Sequence, residues 1–273
     1  AATLDQFSGG RLALHFISGG SDAEQRRDGD FLDHDGRYRR TDEYIGVMRR
    51  VWTAEEPFDH AGEFYRFERA FSEVKPLQQP HVPVYFGGAS DAALEVGAKH
   101  ADCYMFWGEP LAEVRQRMAE VNAAAAKYGR QPRFSVSLRP ILGPTEARAW
   151  ERAHGILERI RAVRGVSALG GGSVRPQAVG SQRLLGFAAQ GEILDQRLWT
   201  PIAAATGAGG NTTCLVGTPE QVAESLLAYY DLGVTTILIR GFDPLPDAIA
   251  YGRDLLPLVR AEVARRDRQP AAV

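Results

Sequence analysis

The chain has 273 residues, 44% of them hydrophobic and 24% charged, with a formal net charge of −2. That balance leaves no basic stripe for nucleic acid and no polybasic membrane segment, and no apolar run approaches the roughly 20 residues that span a bilayer, so small molecules or other proteins are the expected partners. Its two cysteines, Cys103 and Cys214, lie in apolar runs without metal-ligand spacing, which suits a reducing cytoplasm.

Ala1 to Gly10 reads as the last turns of a helix ended by glycine. Arg11 to Ser18 is a strand rich in Leu, Phe and Ile, with His15 inside it, and it runs into Gly19-Gly20. Ser21 to Arg40 is polar and charged, a long loop by composition. Thr41 is placed to cap a helix whose apolar stripe is Tyr44, Val47, Met48, Val51 and Trp52. Phe58 to Phe67 alternates and turns through Ala61-Gly62, the pattern of a hairpin. Val82 to Phe86 is a run of β-formers, Gly87-Gly88 frees the backbone, and Ser90-Asp91 opens an alanine-rich helix to His100. The first N–H groups of such a helix have no partner within it, so a phosphate fits there when glycines keep the approach open.

Ala101 to Trp107 is a compact strand before Gly108-Glu109-Pro110, and Leu111, Val114, Met118, Val121 and Ala125 then recur at helical spacing. Arg133 to Gly143 alternates Phe134, Val136 and Leu138 against Ser137 and Arg139, with Pro140 marking a bulge or a strand end. Thr145 to Arg164 is helical, Gly165 to Ser181 reads as a mobile insertion, and a second helical piece reaches Gln190. Thr218-Pro219-Glu220-Gln221 starts a helix with Thr as its cap, ending at Gly233. Val234 to Arg240 is the last strand, and Leu245 to Arg266 is a helix that Pro257 kinks.

Strands near residues 11, 82, 101, 134 and 235, each followed by a turn and a helix, give the order of an α/β fold with a parallel sheet. Nothing resembles an interdomain linker, so residues 1–273 form one expected domain. Ligands gather beyond the carboxyl ends of such strands. Ser18, Gly88 with Ser90, Trp107 and Arg240 stand at those ends, and Arg139 is close to one. Singly, a strand-end Trp is rim packing and an Arg a surface charge; on one rim together they favour a site.

Ala1 to Gly19, Arg37-Tyr38, Pro76 to Ser90 (PLQQPHVPVYFGGAS), Tyr104 to Pro110 (YMFWGEP) and Leu215 to Pro219 (LVGTP) resemble the bacterial luciferase-like flavin-dependent monooxygenases, the alkanesulfonate monooxygenase type in particular. The resemblance covers essentially the whole chain in the same order. It implies a (β/α)8 TIM barrel, often in homo-oligomers, that uses O2 and reduced FMN supplied by a separate NAD(P)H:flavin reductase. Laid on that family, the first strand here resembles barrel strand four. The resemblance thus implies a truncated barrel with about strands 4 to 8, and such a fragment is expected neither to fold stably nor to work alone.

By the same resemblance, Gly88, Ala89 and Ser90 match the flavin phosphate site and Tyr38 a tyrosine that approaches the phosphate. His15 and Ser18 match positions near the flavin, with His15 standing where the sulfonate enzymes tend to carry Asn. Trp107 matches a tryptophan lining the flavin and substrate cavity, and Gly165 to Ser181 resembles the lid. The sulfonate enzymes' Arg and His on strand seven are here Ser137 and Arg139, a further Arg is Thr206, and a Tyr after strand eight is Phe242. Sulfonate specificity therefore does not carry over directly, while Arg139 and Arg240 can still hold an anion, since a buried guanidinium stabilises charge strongly where water is excluded. The implied activity is oxygenation of a small organic substrate, organosulfur compounds and sulfonates included. The alternatives are a deazaflavin (F420)-dependent oxidoreductase of the same superfamily and an inactive remnant; strand ends without a His and carboxylate cluster disfavour a metal-dependent hydrolase.

Overall fold

The computed structural model describes the backbone of residues 1–167 and 176–268, and the side chains of these residues except 164–167. The chain divides into two compact units, Ala1–Met105 with Met118–Arg133, and Phe106–Arg117 with Phe134–Val273.

The first unit opens with helix α1 (Ala2–Ser8), closed by Gly9 in the left-handed conformation, as the glycine pattern implies. Strand β1 is only Leu14–Phe16. The charged stretch after it is not a loop. It holds helix α2 (Asp22–Arg27), capped by Ser21, and the first two turns of α3 (His34–Thr53). Asp33, not Thr41, caps α3: its carboxylate accepts from the Gly36 N–H at 2.7 Å, and Thr41 lies inside the helix with its hydroxyl donating to the Arg37 carbonyl. An aspartate in extended conformation supplies the acceptor that the first turn lacks, so the helix starts eight residues earlier than the apolar stripe suggests. The hairpin follows as β2 (Phe58–Ala61) and β3 (Arg66–Ala70). Then come β4 (Val84–Gly87), α4 (Asp91–His100), β5 (Cys103–Trp107), whose last two residues belong to the second unit, and α5 (Leu111–Ala126). Strands β1, β4 and β5 pair in parallel, Leu14 beside Val84 and Tyr85 beside Cys103. Ala2, Trp52 and Val82 form one buried cluster of this unit, with Leu12, Leu14 and Met48 packed against it.

A dense ionic network ties α3 and α4 to the entry of β5. Asp102 accepts from Arg130 at 2.7 Å and from the Val84 N–H at 2.8 Å, with Arg49 at 3.7 Å. His100 is buried between Asp42, 2.5 Å from its Nε2, and Arg49, 3.3 Å from its Nδ1.

The second unit is built on β6 (Arg133–Leu142), followed by α6 (Glu146–Ser167), α7 (Val179–Ala188), β7 (Ile193–Leu194), β8 (Leu198–Trp199), α8 (Pro201–Thr206), β9 (Cys214–Gly217), α9 (Pro219–Asp231), β10 (Thr236–Ile239), α10 (Pro244–Ala250) and α11 (Leu256–Asp267). Pro140 neither ends β6 nor bends it out of the sheet; instead the partner changes there. Ser135–Leu138 pair with β10, and Arg139–Leu142 pair with β9, both in parallel. A proline has no N–H to give to the ladder, and the handover falls where one would be needed. Strand β9 went unrecognised in the sequence because four residues give no readable alternation, and the β8–β7 hairpin beside it pairs antiparallel. The Thr218–Gln221 capping box forms as its residues dictate. Pro257 stands in the first turn of α11, directly after a wider π turn at Tyr251–Leu255, so the kink takes the form of a register slip.

Neither unit closes its strands into a barrel among the described residues, because each holds too few parallel strands to curl round on itself. Of the Gly-rich insertion, residues 168–175 lie outside the described residues; its two ends are helical, in α6 and α7, and Ser181 is buried with its hydroxyl donating to the Ala208 carbonyl at 2.7 Å. No helix among the described residues is long and apolar enough to cross a membrane.

Candidate active site

In the first unit the loop between β4 and α4 gathers the sequence-marked residues. Ser90 caps α4, its hydroxyl accepting from the Ala93 N–H at 3.2 Å. The N–H groups of Asp91 and Ala92, in the same first turn, have no acceptor within a helix and carry its partial positive charge. Gly88 is required here: a Cβ on it would lie 2.4 Å from the Ala93 methyl and 3.1 Å from the Tyr38 hydroxyl. Its carbonyl is fixed by the Tyr104 hydroxyl at 2.9 Å. Tyr38 comes from the second turn of α3, not from a loop, and is 8% exposed, set edge-on against Phe86. Burial holds its phenol above the ordinary pKa, more than its bond to Ser90 lowers it. A neutral hydroxyl donor therefore stands beside a glycine-lined helix N-terminus.

His15 lies in β1, and Ser18 stands two residues beyond its end. Ser18 is buried and bonds the Thr41 hydroxyl at 2.9 Å, so it contacts α3 one turn beyond Tyr38. The His15 Nε2 would lie 3.4 Å from a Cβ on Gly87, and burial lowers its pKa although its side-chain surface is exposed on the strand edge. Ala89 is half-buried between Gly88 and Ser90. One residue the sequence reading did not assign a role is Arg37, 2% exposed, with its guanidinium donating to the Leu32 carbonyl and to Asp22. A charged residue this deep beside Tyr38 has no signature in composition, since its neighbours in sequence are as charged as it is.

The second unit holds the other three. Arg139 lies within β6 and not at its end, its Nε donating to the Asn211 carbonyl at 2.8 Å and its Nη1 to the Gly241 carbonyl at 3.0 Å. Its guanidinium stands over the Phe242 ring at 5.0 Å. Arg240 follows β10 directly, its N–H bonded to the Leu138 carbonyl, but its side chain is exposed at the strand end, so the buried guanidinium expected there is found only in part, at the half-buried Arg139. Burial and the nearby Arg240 charge lower the Arg139 pKa, and among the described residues no carboxylate pairs with either arginine. Asn211, buried and bonded to Ser137 at 3.0 Å, joins this group without any signal in the sequence beyond a polar stretch. Trp107 packs elsewhere in the unit, against Leu184, Phe187, Ala203 and Ala208. An open hollow of about 370 Å³ is lined by Ile156, Arg159, Ile160, Val163, Phe242 and Asp243 together with Thr206, so the two departures Thr206 and Phe242 meet at one part-apolar surface.

The match to known families is decisive over most of the chain. Residues 1–236 fit the family model described as luciferase-like monooxygenase. The chain belongs to that family. Among solved structures, this luciferase-like chain is similar to riboflavin lyase (RcaE) crystallised with modified FMN and riboflavin, at TM-score 0.75 and 18% identity, over 96% of this chain and 66% of that one. It is similar to EDTA monooxygenase (EmoA) from Chelativorans sp. BNC1, at TM-score 0.72 and 20% identity, over 96% and 68%. It is also similar to an F420-dependent secondary alcohol dehydrogenase in complex with an F420-acetone adduct, at TM-score 0.65 and 15% identity, over 95% and 73%. At such identities the likeness shows the fold, and this luciferase-like chain spans about two thirds of the length of the first two structures.

Proposed function

We propose that the protein serves as an FMNH2-dependent monooxygenase that uses O2 to oxygenate a small organic substrate, with reduced flavin delivered by a separate reductase. The observation that carries this reading is the cradle of the first unit: the first turn of α4 behind Gly88, with Ser90 and the buried Tyr38 hydroxyl converging on it. Dianionic phosphate suits unpaired N–H groups and neutral hydroxyls, and Gly88, having no Cβ, lets the loop pack directly against Ala93 and the Tyr38 hydroxyl. Gly88, Ala89, Ser90 and Tyr38 would hold the FMN phosphate, with His15 and Ser18 beside it.

Bound FMN supplies electron transfer to O2; the protein supplies binding, orientation and dryness. Arg139 and Arg240 would hold negative charge on the substrate side, since among the described residues no carboxylate pairs with Arg139 and the charge nearest it is the like charge of Arg240. Trp107, packed against α7, would wall off water. The hollow bounded by Phe242 and Thr206 gives an apolar substrate body room, and organosulfur compounds and sulfonates are the first classes to try. We further propose self-association into a homo-oligomer.

The test is a titration of the full chain with FMN, riboflavin and F420. FMN is expected to bind at least about tenfold tighter than riboflavin, and Ser90→Ala to narrow that gap. Equal binding of FMN and riboflavin would remove the phosphate cradle from the account, and preference for F420 would replace oxygenation by hydride transfer. With a flavin reductase and 18O2 present, labelled product confirms the reaction, and its absence with every organosulfur compound tried, despite bound FMN, counts against it.

A further inference from the structure

Asp247 lies in the first turn of α10 and is 2% exposed, yet it is a carboxylate. One oxygen, Oδ2, accepts from the N–H groups of Phe242 at 2.8 Å and Asp243 at 3.0 Å; the other, Oδ1, accepts from Arg152 at 2.5 Å. The usual cap is absent, because Asp243 at the N-cap position makes no side-chain cap bond. Asp247 instead reaches back from within the helix and ties down the turn before it. A Cβ on Gly241 would lie 2.2 Å from Oδ2, so only glycine lets the carboxylate approach.

The turn held in this way carries two groups of the arginine site. The Gly241 carbonyl receives Arg139 Nη1 at 3.0 Å, and the Phe242 ring lies beneath the Arg139 guanidinium while lining the 370 Å³ hollow. Burying a carboxylate is unfavourable unless its lone pairs are filled, and here two backbone N–H groups of the turn and one guanidinium fill them. A displaced turn would strip Arg139 of one of its two carbonyl partners.

We propose that Asp247 is a positioning residue: through the Gly241–Asp243 turn it sets the place of the Arg139 guanidinium and the Phe242 ring, and with them the affinity of this site for an organic anion. It touches no ligand itself. The anion affinity rests on the reading of Arg139 and Arg240 given above; the positioning of Arg139 does not.

The experiment uses benzoate as the probe, titrated into the full chain and followed by the NMR signal of the Arg139 Nε–H, identified by its loss in Arg139→Lys. Asn at position 247 keeps an oxygen for both N–H groups, so Asp247→Asn is expected to hold benzoate affinity within about threefold and to leave the Arg139 signal in place. Glu keeps the charge but pushes the turn away, so Asp247→Glu is expected to move the signal and weaken benzoate about tenfold. Tyr230→Phe, which removes a hydroxyl bond to Asp267 away from the turn, should change neither. An Arg139 signal indifferent to Asp247→Glu, or shifted as far by Tyr230→Phe, overturns the positioning role. If the parent protein does not bind benzoate, the anion reading fails, and the Arg139 signal alone decides whether Asp247 positions it.

Discussion

Asp102 in the first unit and Arg139 in the second both lie at sheet strands, and their surroundings treat charge in opposite ways. Around Asp102 the cations meet carboxylates: Arg130 and Arg49 face Asp102, and Lys99 faces Asp42, which also accepts from the neutral His100. Around Arg139 the partners are carbonyl oxygens, and the neighbouring charge is a second cation, Arg240. A network that neutralises itself asks for no ligand and holds elements together. A half-buried cation met only by carbonyl dipoles and a like charge suits the anion site proposed above, and the repulsion works against stability.

The contrast can be broken at its strongest point first. Asp102→Ala leaves the Val84 N–H without its side-chain acceptor and removes the carboxylate that faces Arg130 and Arg49, which keep only uncharged partners, and is expected to lower the unfolding free energy by about 2–3 kcal/mol in urea titrations. A loss below about 0.5 kcal/mol would mean that the network contributes nothing net.

A second test uses pH. His100 is neutral as it sits, its Nε2–H donating to Asp42 and its Nδ1 accepting from Arg49, and burial, opposed by Asp42, holds its pKa below the ordinary 6.5. The unfolded chain then takes up this proton before the folded one does. The contribution to stability is complete above about pH 6.5 and falls as the pH drops below that towards the folded-state value. The slope between pH 7 and pH 5 should flatten in His100→Gln; an unchanged slope would assign the acid sensitivity to other groups.

The smallest effect is expected where the two regions differ in sign. Arg139→Met removes an unneutralised cation and keeps much of its volume, so stability should stay level or rise by up to about 1 kcal/mol, while benzoate binding disappears. A loss above about 2 kcal/mol would make Arg139 a structural residue like Arg130.

How far these regions were legible in the sequence follows the range of the interactions that make them. The β4–α4 loop was readable because strand, glycine pair and serine cap are contiguous, and each residue acts on its near neighbours. The capping box at Thr218 and the glycine end of α1 were readable for the same reason. The start of α3 was misplaced because a helix whose first two turns are charged shows no stripe, and only the Asp33 cap marks it. Asp247 and Asn211 gave no sign, because their partners are fixed by a turn geometry and by a neighbour 74 residues away. Pro140 marks a disturbance that the sequence leaves as a bulge or a strand end and the structure shows to be neither, since sequence does not reveal that a strand can change partners and continue.

That change of partner also orders events in time. The first half of β6 pairs with a strand that the ribosome makes about a hundred residues later, Thr235 reaching Phe134 across a separation of 101. At synthesis rates of about 5–20 residues per second, β6 waits roughly 5–20 seconds for β10, with that edge uncovered. The second half receives β9 sooner, so the strand becomes protected from its carboxyl end backwards, and the docking of β10 is the late step on which completion of the second unit depends.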